Sequence, residues 1–148
     1  MQLAKSKGAR VIALGRTAQE AHLRDLGADQ VLDEQHLDDA GEVDTVLDLL
    51  GGAVQQRAWS RLKQGGAMAS TMGHPSEVEA KNRGARTIAL FTQTNTQQLA
   101  ELAKLIDGGK VKVVVMKTLP LASAKEAHEL LENGHVSGKV VLSIGQQP

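Results

Sequence analysis

Five histidines, no cysteine and no tyrosine leave few side chains that could move a proton or hold a metal. His74, in Gly73-His-Pro-Ser76, lies among turn-forming residues, and an imidazole can act as a general acid near neutral pH. Exposed loop histidines seldom do so, and a backbone contact with a ligand is the reading we favour for it. His22 and His128 fall inside helical patterns. The sequence holds neither an H-x-x-x-H pair nor an H-E-x-x-H helix, so no zinc site is expected. The acidic run over 33–44 reads as a solvated face. Gly134-His-Val-Ser-Gly138-Lys139 is one residue shorter than a phosphate loop, is followed by Val140 instead of Ser or Thr, and stands after a helical pattern instead of before one. We set it aside. No G-x-S-x-G elbow occurs, which argues against a serine hydrolase. No two of the 15 glycines are two positions apart, so a G-x-G-x-x-G fingerprint is absent. No residue qualifies as catalytic on type and spacing.

The elements that would position these residues alternate in kind. Short apolar runs typical of buried parallel strands occur at 10–14, 43–50, 67–72, 86–91, 111–116 and 139–144, with a weaker seventh at 30–32. Thr17-Ala-Gln-Glu20 and Ser123-Ala-Lys-Glu126 read as capping boxes. The helices they open stop at Gly27 and Gly134, where glycine supplies a left-handed cap at little cost. Leu99, Leu102, Ala103 and Ile106 form a one-sided stripe that predicts a helix over 96–107. A further helix is predicted over 53–62, closed by Gly65-Gly66, and the longest loop over 73–84. Residues 2–7 read as the last turns of a helix ending at Gly8, with no strand ahead of it. Strands alternating with helices at this spacing indicate an α/β domain with a mostly parallel sheet.

Composition narrows the function classes. A length of 148 residues fits one domain able to bury a core. Seventeen basic and 17 acidic residues balance, which argues against a nucleic-acid or membrane-surface partner. No apolar run approaches the ~20 residues of a membrane span, and the first residues lack a secretory pattern. The absence of cysteine excludes disulfides and fits a cytoplasmic address. With Trp59 and Phe91 as the only aromatic rings besides histidine, the core must be aliphatic.

Several phrases together resemble one family. They are GARVIA (8–13), LRDLGADQVLD (23–33), VDTVLDLLGG (43–52), LKQGGAMASTMG (62–73), AELAKLIDGGKVKVVV (100–115) and LASAKEAHELLENGHVSGKVVLSI (121–144). In this order they resemble the cofactor-binding domain of medium-chain dehydrogenases/reductases, in the zinc-independent branch related to quinone oxidoreductases. The resemblance implies a Rossmann-like, doubly wound, mostly parallel sheet. It lacks the family's first strand and glycine-rich turn, and the separate N-terminal catalytic domain that carries most substrate contacts is not in the sequence. Residues 1–148 are thus expected to form a single, partial dinucleotide-binding domain. In a sheet of this kind the first strand is central. Its place, between the strands at 10–14 and 43–50, would be closed by their direct pairing, filled by another chain, or left as a weak point.

The resemblance also implies a set of binding residues. The strand ending at Leu14-Gly15 carries Arg16 and Thr17 where NAD binders place an acid, and a guanidinium suits a 2′-phosphate, so NADP(H) is expected over NAD(H). Leu50 and Gly51 would sit near the adenosine half, Gly73 and His74 near the nicotinamide ribose, and Phe91 and Thr92 near the nicotinamide. The glycines could equally be simple turns. Lys139 is a further contact that the resemblance allows. The implied activity is hydride transfer between NADPH and a quinone, enone or carbonyl, dependent on a catalytic domain to receive the small-molecule substrate. The alternative is a non-catalytic module that dimerises through the strand from Arg86 to Phe91 and has lost cofactor binding. A methyltransferase-like nucleotide binder is a third, weaker reading.

Overall fold

A computed structural model describes residues 1–134 and 136–145. In chain order the elements are helix α1 (Gln2–Ser6), strand β1 (Ile12–Leu14), α2 (Glu20–Asp25), β2 (Gln30–Leu32), β3 (Val43–Asp48) and α3 (Gly52–Ala58). There follow β4 (Leu62–Ser70), α4 (Glu77–Asn82), β5 (Arg86–Ala89), α5 (Thr96–Asp107), β6 (Val115–Pro120), α6 (Ala124–Glu132) and β7 (Lys139–Ser143). All strand pairs are parallel, and each is bridged by a crossover containing a helix or helical turn. The chain is therefore α/β and Rossmann-like, as expected.

Among the described residues the strands do not join into one sheet but form three ladders, β1–β2, β3–β4–β5 and β6–β7. β1 and β3 share no ladder, so the break between them is not closed by direct pairing. They still share a core: Leu14 of β1 and Val46 of β3 both pack on the cluster of Leu37, Ala58, Trp59, Leu62, Met68 and Ala80. Trp59 anchors that cluster at 2% exposure. Truncating a tryptophan so buried costs about 3–5 kcal/mol.

The register decides which face the core takes. Val46 stands opposite Met68, on the buried face, whereas the row Leu47–Ala69–Ile88 lies on the other face. There Leu47 is 56% exposed and Ile88 46% exposed. Helix α5 is likewise open, with no buried residue. No helix among the described residues is long and apolar enough to cross a membrane.

Several boundaries differ from the sequence reading for identifiable reasons. The helix expected over 53–62 ends as α-helix at Ala58, passes through one 3-10 turn, and gives way to strand at Leu62. Gly65 and Gly66 are no helix cap; they lie inside β4, where the register jumps from Val43↔Leu62 to Thr45↔Ala67. Such a bulge needs glycine: Gly65 has φ +76°, and a Cβ on Gly66 would meet the Asp44 carbonyl oxygen at 2.8 Å. The expected loop over 73–84 contains α4, opened by the Ser76 hydroxyl accepting from the Glu79 N–H at 3.3 Å. The box expected at Thr17 is displaced by one residue, with the Arg16 N–H donating to Gln19 Oε1 at 3.1 Å. The Ser123 side chain makes no cap, and Glu126 instead pairs with Lys117 at 2.6 Å.

Candidate functional site

Parallel register brings the carboxyl ends of β3, β4 and β5 to one edge, with Asp48 opposite Ser70 and Ser70 opposite Ala89. Leu50 and Gly51, Gly73 and His74, and Phe91 and Thr92 all follow directly on these ends. In open α/β sheets ligands bind beyond this edge. The His74 and Phe91 rings meet with centroids 5.9 Å apart and planes tilted by 58°. Leu50 and Phe91 are 54% and 69% exposed, leaving apolar surface on either side of the edge. Gly73 has φ +113° and open space where a Cβ would stand, so a ligand could approach its backbone closely.

Sequence reasoning passed over the residues that hold this edge together. Asp48 is a charged group at only 5% exposure, and Ser70 is fully buried. Asp48 Oδ1 accepts from the backbone N–H groups of Leu50 at 3.1 Å and Gly51 at 2.8 Å. Its Oδ2 accepts from the Ser70 hydroxyl at 2.6 Å and from Gln55 Nε2 of α3 at 2.7 Å. Ser70 Oγ accepts in turn from the Met72 N–H at 3.0 Å. Burial pushes the Asp48 carboxyl up, but the hydrogen bonds from Ser70, Gly51, Gln55 and Leu50 outweigh it and hold the group below its ordinary value. The available signal was an acid directly after Val46-Leu47 at the end of a strand, since a buried carboxylate must find donors.

Arg16 and Thr17 lie beyond β1, on a different ladder. Arg16 Nη2 donates to the Gly134 carbonyl oxygen at 2.7 Å. Thr17 lines a cavity with Gly15, Glu20, Asp33, His36 and Asp39. Here the acidic run does more than face solvent: Asp33 bonds His36 at 2.7 Å, and Asp38 pairs with Arg57 at 3.2 Å. Between them Leu37 and Ala40 are buried. His135 of the set-aside glycine loop lies outside the described residues.

The fold agrees with those of known proteins. Residues 26–142 match the family described as zinc-binding dehydrogenase. The chain belongs to that family. Among its relatives is the mitochondrial NAD(P)H oxidoreductase RTN4IP1 of Danio rerio, 29% identical over 97% of this chain and 45% of its own length. The quinone oxidoreductase from Coxiella burnetii superposes with a TM-score of 0.83 at 34% identity, covering 97% of this chain and 48% of that one. An NAD-dependent alcohol dehydrogenase superposes with a TM-score of 0.82 at 29% identity, covering 97% and 46%. The chain thus spans somewhat less than half the length of these proteins, and the reading as a cofactor-binding domain of medium-chain dehydrogenases/reductases stands. The sequence has no cysteine, and no three histidine, aspartate or glutamate side chains converge among the described residues.

Proposed function

We propose that this chain is the NADP(H)-binding portion of a zinc-independent oxidoreductase that moves hydride between NADPH and a quinone, an enone or a carbonyl. The observation that carries the reading is the common edge formed by the ends of β3, β4 and β5. There Leu50, Gly51, Gly73, His74, Phe91 and Thr92 can follow one extended dinucleotide. The bound cofactor supplies the hydride, and the protein's share is to bind and orient it. Gly73 admits the backbone of the edge to close contact, while Phe91 and His74 offer a surface for the nicotinamide ring. No side chain on this edge is assigned proton transfer. Substrate is received by a separate catalytic domain, and the chain alone is not expected to turn over.

Preference for NADP(H) over NAD(H) rests on Arg16 and Thr17, since the names of the relatives span both cofactors. The carboxylates of Glu20, Asp33 and Asp39 around the same cavity work against a 2′-phosphate. The guanidinium is what must overcome them. A cytoplasmic setting accords with the cysteine-free sequence, and cell fractionation would decide between it and the mitochondrial address in the relatives' names.

The test is titration with NADPH and NADH in parallel, read by energy transfer from Trp59 to the reduced nicotinamide and by calorimetry. Saturable binding with NADPH the tighter is the expected result. A folded chain that binds neither nucleotide would refute the cofactor role. The second reading, a dimerising module without cofactor, is favoured by β5: it is the outer strand of its ladder, with Ile88 exposed on it and Leu90 and Phe91 exposed just after it.

A further inference from the structure

A carboxylate at the end of a buried strand is costly unless several donors converge on it. Asp48 gathers four, and they come from three parts of the chain: the turn after β3 (Leu50 and Gly51), helix α3 (Gln55) and the end of β4 (Ser70). Ser70 spends its single hydroxyl hydrogen on Asp48 and keeps its lone pairs for the Met72 N–H and for Gln55 Nε2, the latter at 3.3 Å. One carboxylate–hydroxyl pair thus holds N–H groups of both turns, 49–51 and 71–73, beside the single backbone bond from the Thr71 N–H to the Asp48 carbonyl oxygen at 3.1 Å. The turns also touch: a Cβ built on Gly51 would lie 3.1 Å from Met72 Cβ. A shift in either turn is transmitted to the other.

We propose that Asp48, Ser70 and Gln55 are positioning residues for the dinucleotide, a latch that fixes the spacing between the two turns that straddle it, without touching it. This rests on the cofactor reading above, which assigned Leu50, Gly51, Gly73 and His74 but gave these three no role. The donor pattern makes the latch directional. In Asp48→Asn the side-chain oxygen can still serve Leu50 and Gly51, but the charge that all four donors share is lost, and the new amide is satisfied only when the Gln55 amide flips to present its oxygen. Gln55→Glu in that background returns a carboxylate to the cluster, facing the new amide and the Ser70 hydroxyl.

Three kinds of measurement test it on the intact chain. Hydrogen exchange reads the Leu50, Gly51 and Met72 amides, calorimetry the NADPH affinity, and thermal denaturation the stability. Ser70→Ala and Asp48→Asn should each expose those amides to exchange and weaken NADPH binding by roughly tenfold or more. Gln55→Glu should recover most of the loss in Asp48→Asn. Leu62→Val, which loosens the core at the far end of β4, should lower the melting temperature and leave the affinity within about twofold of the parent. Should Asp48→Asn fail to fold, Ser70→Ala carries the test. Folded variants whose turn amides exchange freely while NADPH affinity is unchanged would overturn the proposal. So would affinity that simply tracks melting temperature through Leu62→Val as well. A parent chain with protected turn amides and no affinity for NADPH sinks the cofactor reading itself, and the latch's role in binding falls with it.

Discussion

Arg16 Nη2 and the Gly134 carbonyl oxygen, 2.7 Å apart, join the turn after β1 to the turn after α6. The arginine to which we assign cofactor discrimination is thus held in place by the chain itself. A guanidinium carries five N–H donors in a fixed fork, so one such bond does not exhaust it. The Gly134 contact limits the rotamers it samples and lowers the ordering cost of a second bond, to phosphate.

Arg16→Ala should therefore raise the Kd for NADPH by about 10- to 100-fold, the worth of a charge-assisted hydrogen bond of ~1.5–3 kcal/mol. The Kd for NADH should hardly change. Arg16→Lys keeps the charge but loses the fork, and should fall between. Parallel calorimetric titrations measure this, and equal losses for both nucleotides would remove Arg16 from 2′-phosphate recognition.

Gly51 has φ +71°, a left-handed conformation, and its α-hydrogen faces Met72. Gly51→Ala should destabilise the fold by about 1–3 kcal/mol through backbone strain at φ +71°, ψ −163° and should also push the two turns apart. Gly65→Ala is the control. Its φ of +76° is also positive, but nothing lies within 4 Å of the added methyl. Urea unfolding should show a loss of stability for both variants, while NADPH affinity falls in Gly51→Ala alone. An equal fall in both would mean that strain, and not the spacing of the turns, governs binding.

The Asp33–His36 pair gives the chain a pH signature. The hydrogen bond from Asp33, then its charge and that of Asp39, raise the His36 imidazole above its ordinary 6.5. The same hydrogen bond and the His36 backbone N–H hold the Asp33 carboxyl below its ordinary 3.8. The stabilisation linked to His36 is complete below its unfolded value and disappears as pH rises through the raised folded one. That linked to Asp33 is present above its unfolded value and lost as pH falls through the depressed folded one. The pair thus stabilises the fold between these limits. Proton NMR of the His36 ring should show its titration move down toward 6.5 in Asp33→Asn. Because His36 shares its cavity with Thr17, Glu20 and Asp39, NADPH binding should also weaken as His36 loses its proton. Affinity flat across that titration would separate the cavity from the cofactor.

Particular elements show what the sequence could and could not say. The stripe from Leu99 to Ile106 predicted α5 with its observed bounds, Thr96–Asp107, because helical periodicity and the Asn95 cap are local. Strand positions depend on partners. The apolar run over 111–116 became a strand only from Val115, where pairing with Lys139 begins, and the ladder carried it on to Pro120. An apolar run reports burial and leaves the start of the ladder open. Helix α4 was hidden in an expected loop although Ser76 and Glu79 have the spacing of a cap. The edge residues from Leu50 to Thr92 were legible through the order of the family's phrases. Asp48, Ser70 and Gln55 were not, because their meaning lies in a convergence of donors across 22 residues of chain that no local pattern records.

The remaining choice, between a cofactor domain and an assembly module, turns on β5. Its ladder neighbour is β4, and among the described residues no strand pairs with its other edge. An open edge bearing Ile88 at 46% and Leu90 at 41% exposure invites pairing with a second copy about a two-fold axis. In such an interface each substitution counts twice. Ile88→Lys removes an apolar contact worth ~1.5–3 kcal/mol from each side, so the dimer should weaken by roughly a hundredfold or more. Sedimentation velocity over a range of concentrations measures this directly. A parent dimer that Ile88→Lys converts to monomer with NADPH affinity intact would make assembly and cofactor binding separate properties of one domain. A dimer that survives the substitution lies on another surface, and a monomeric parent leaves the assembly reading without its one support.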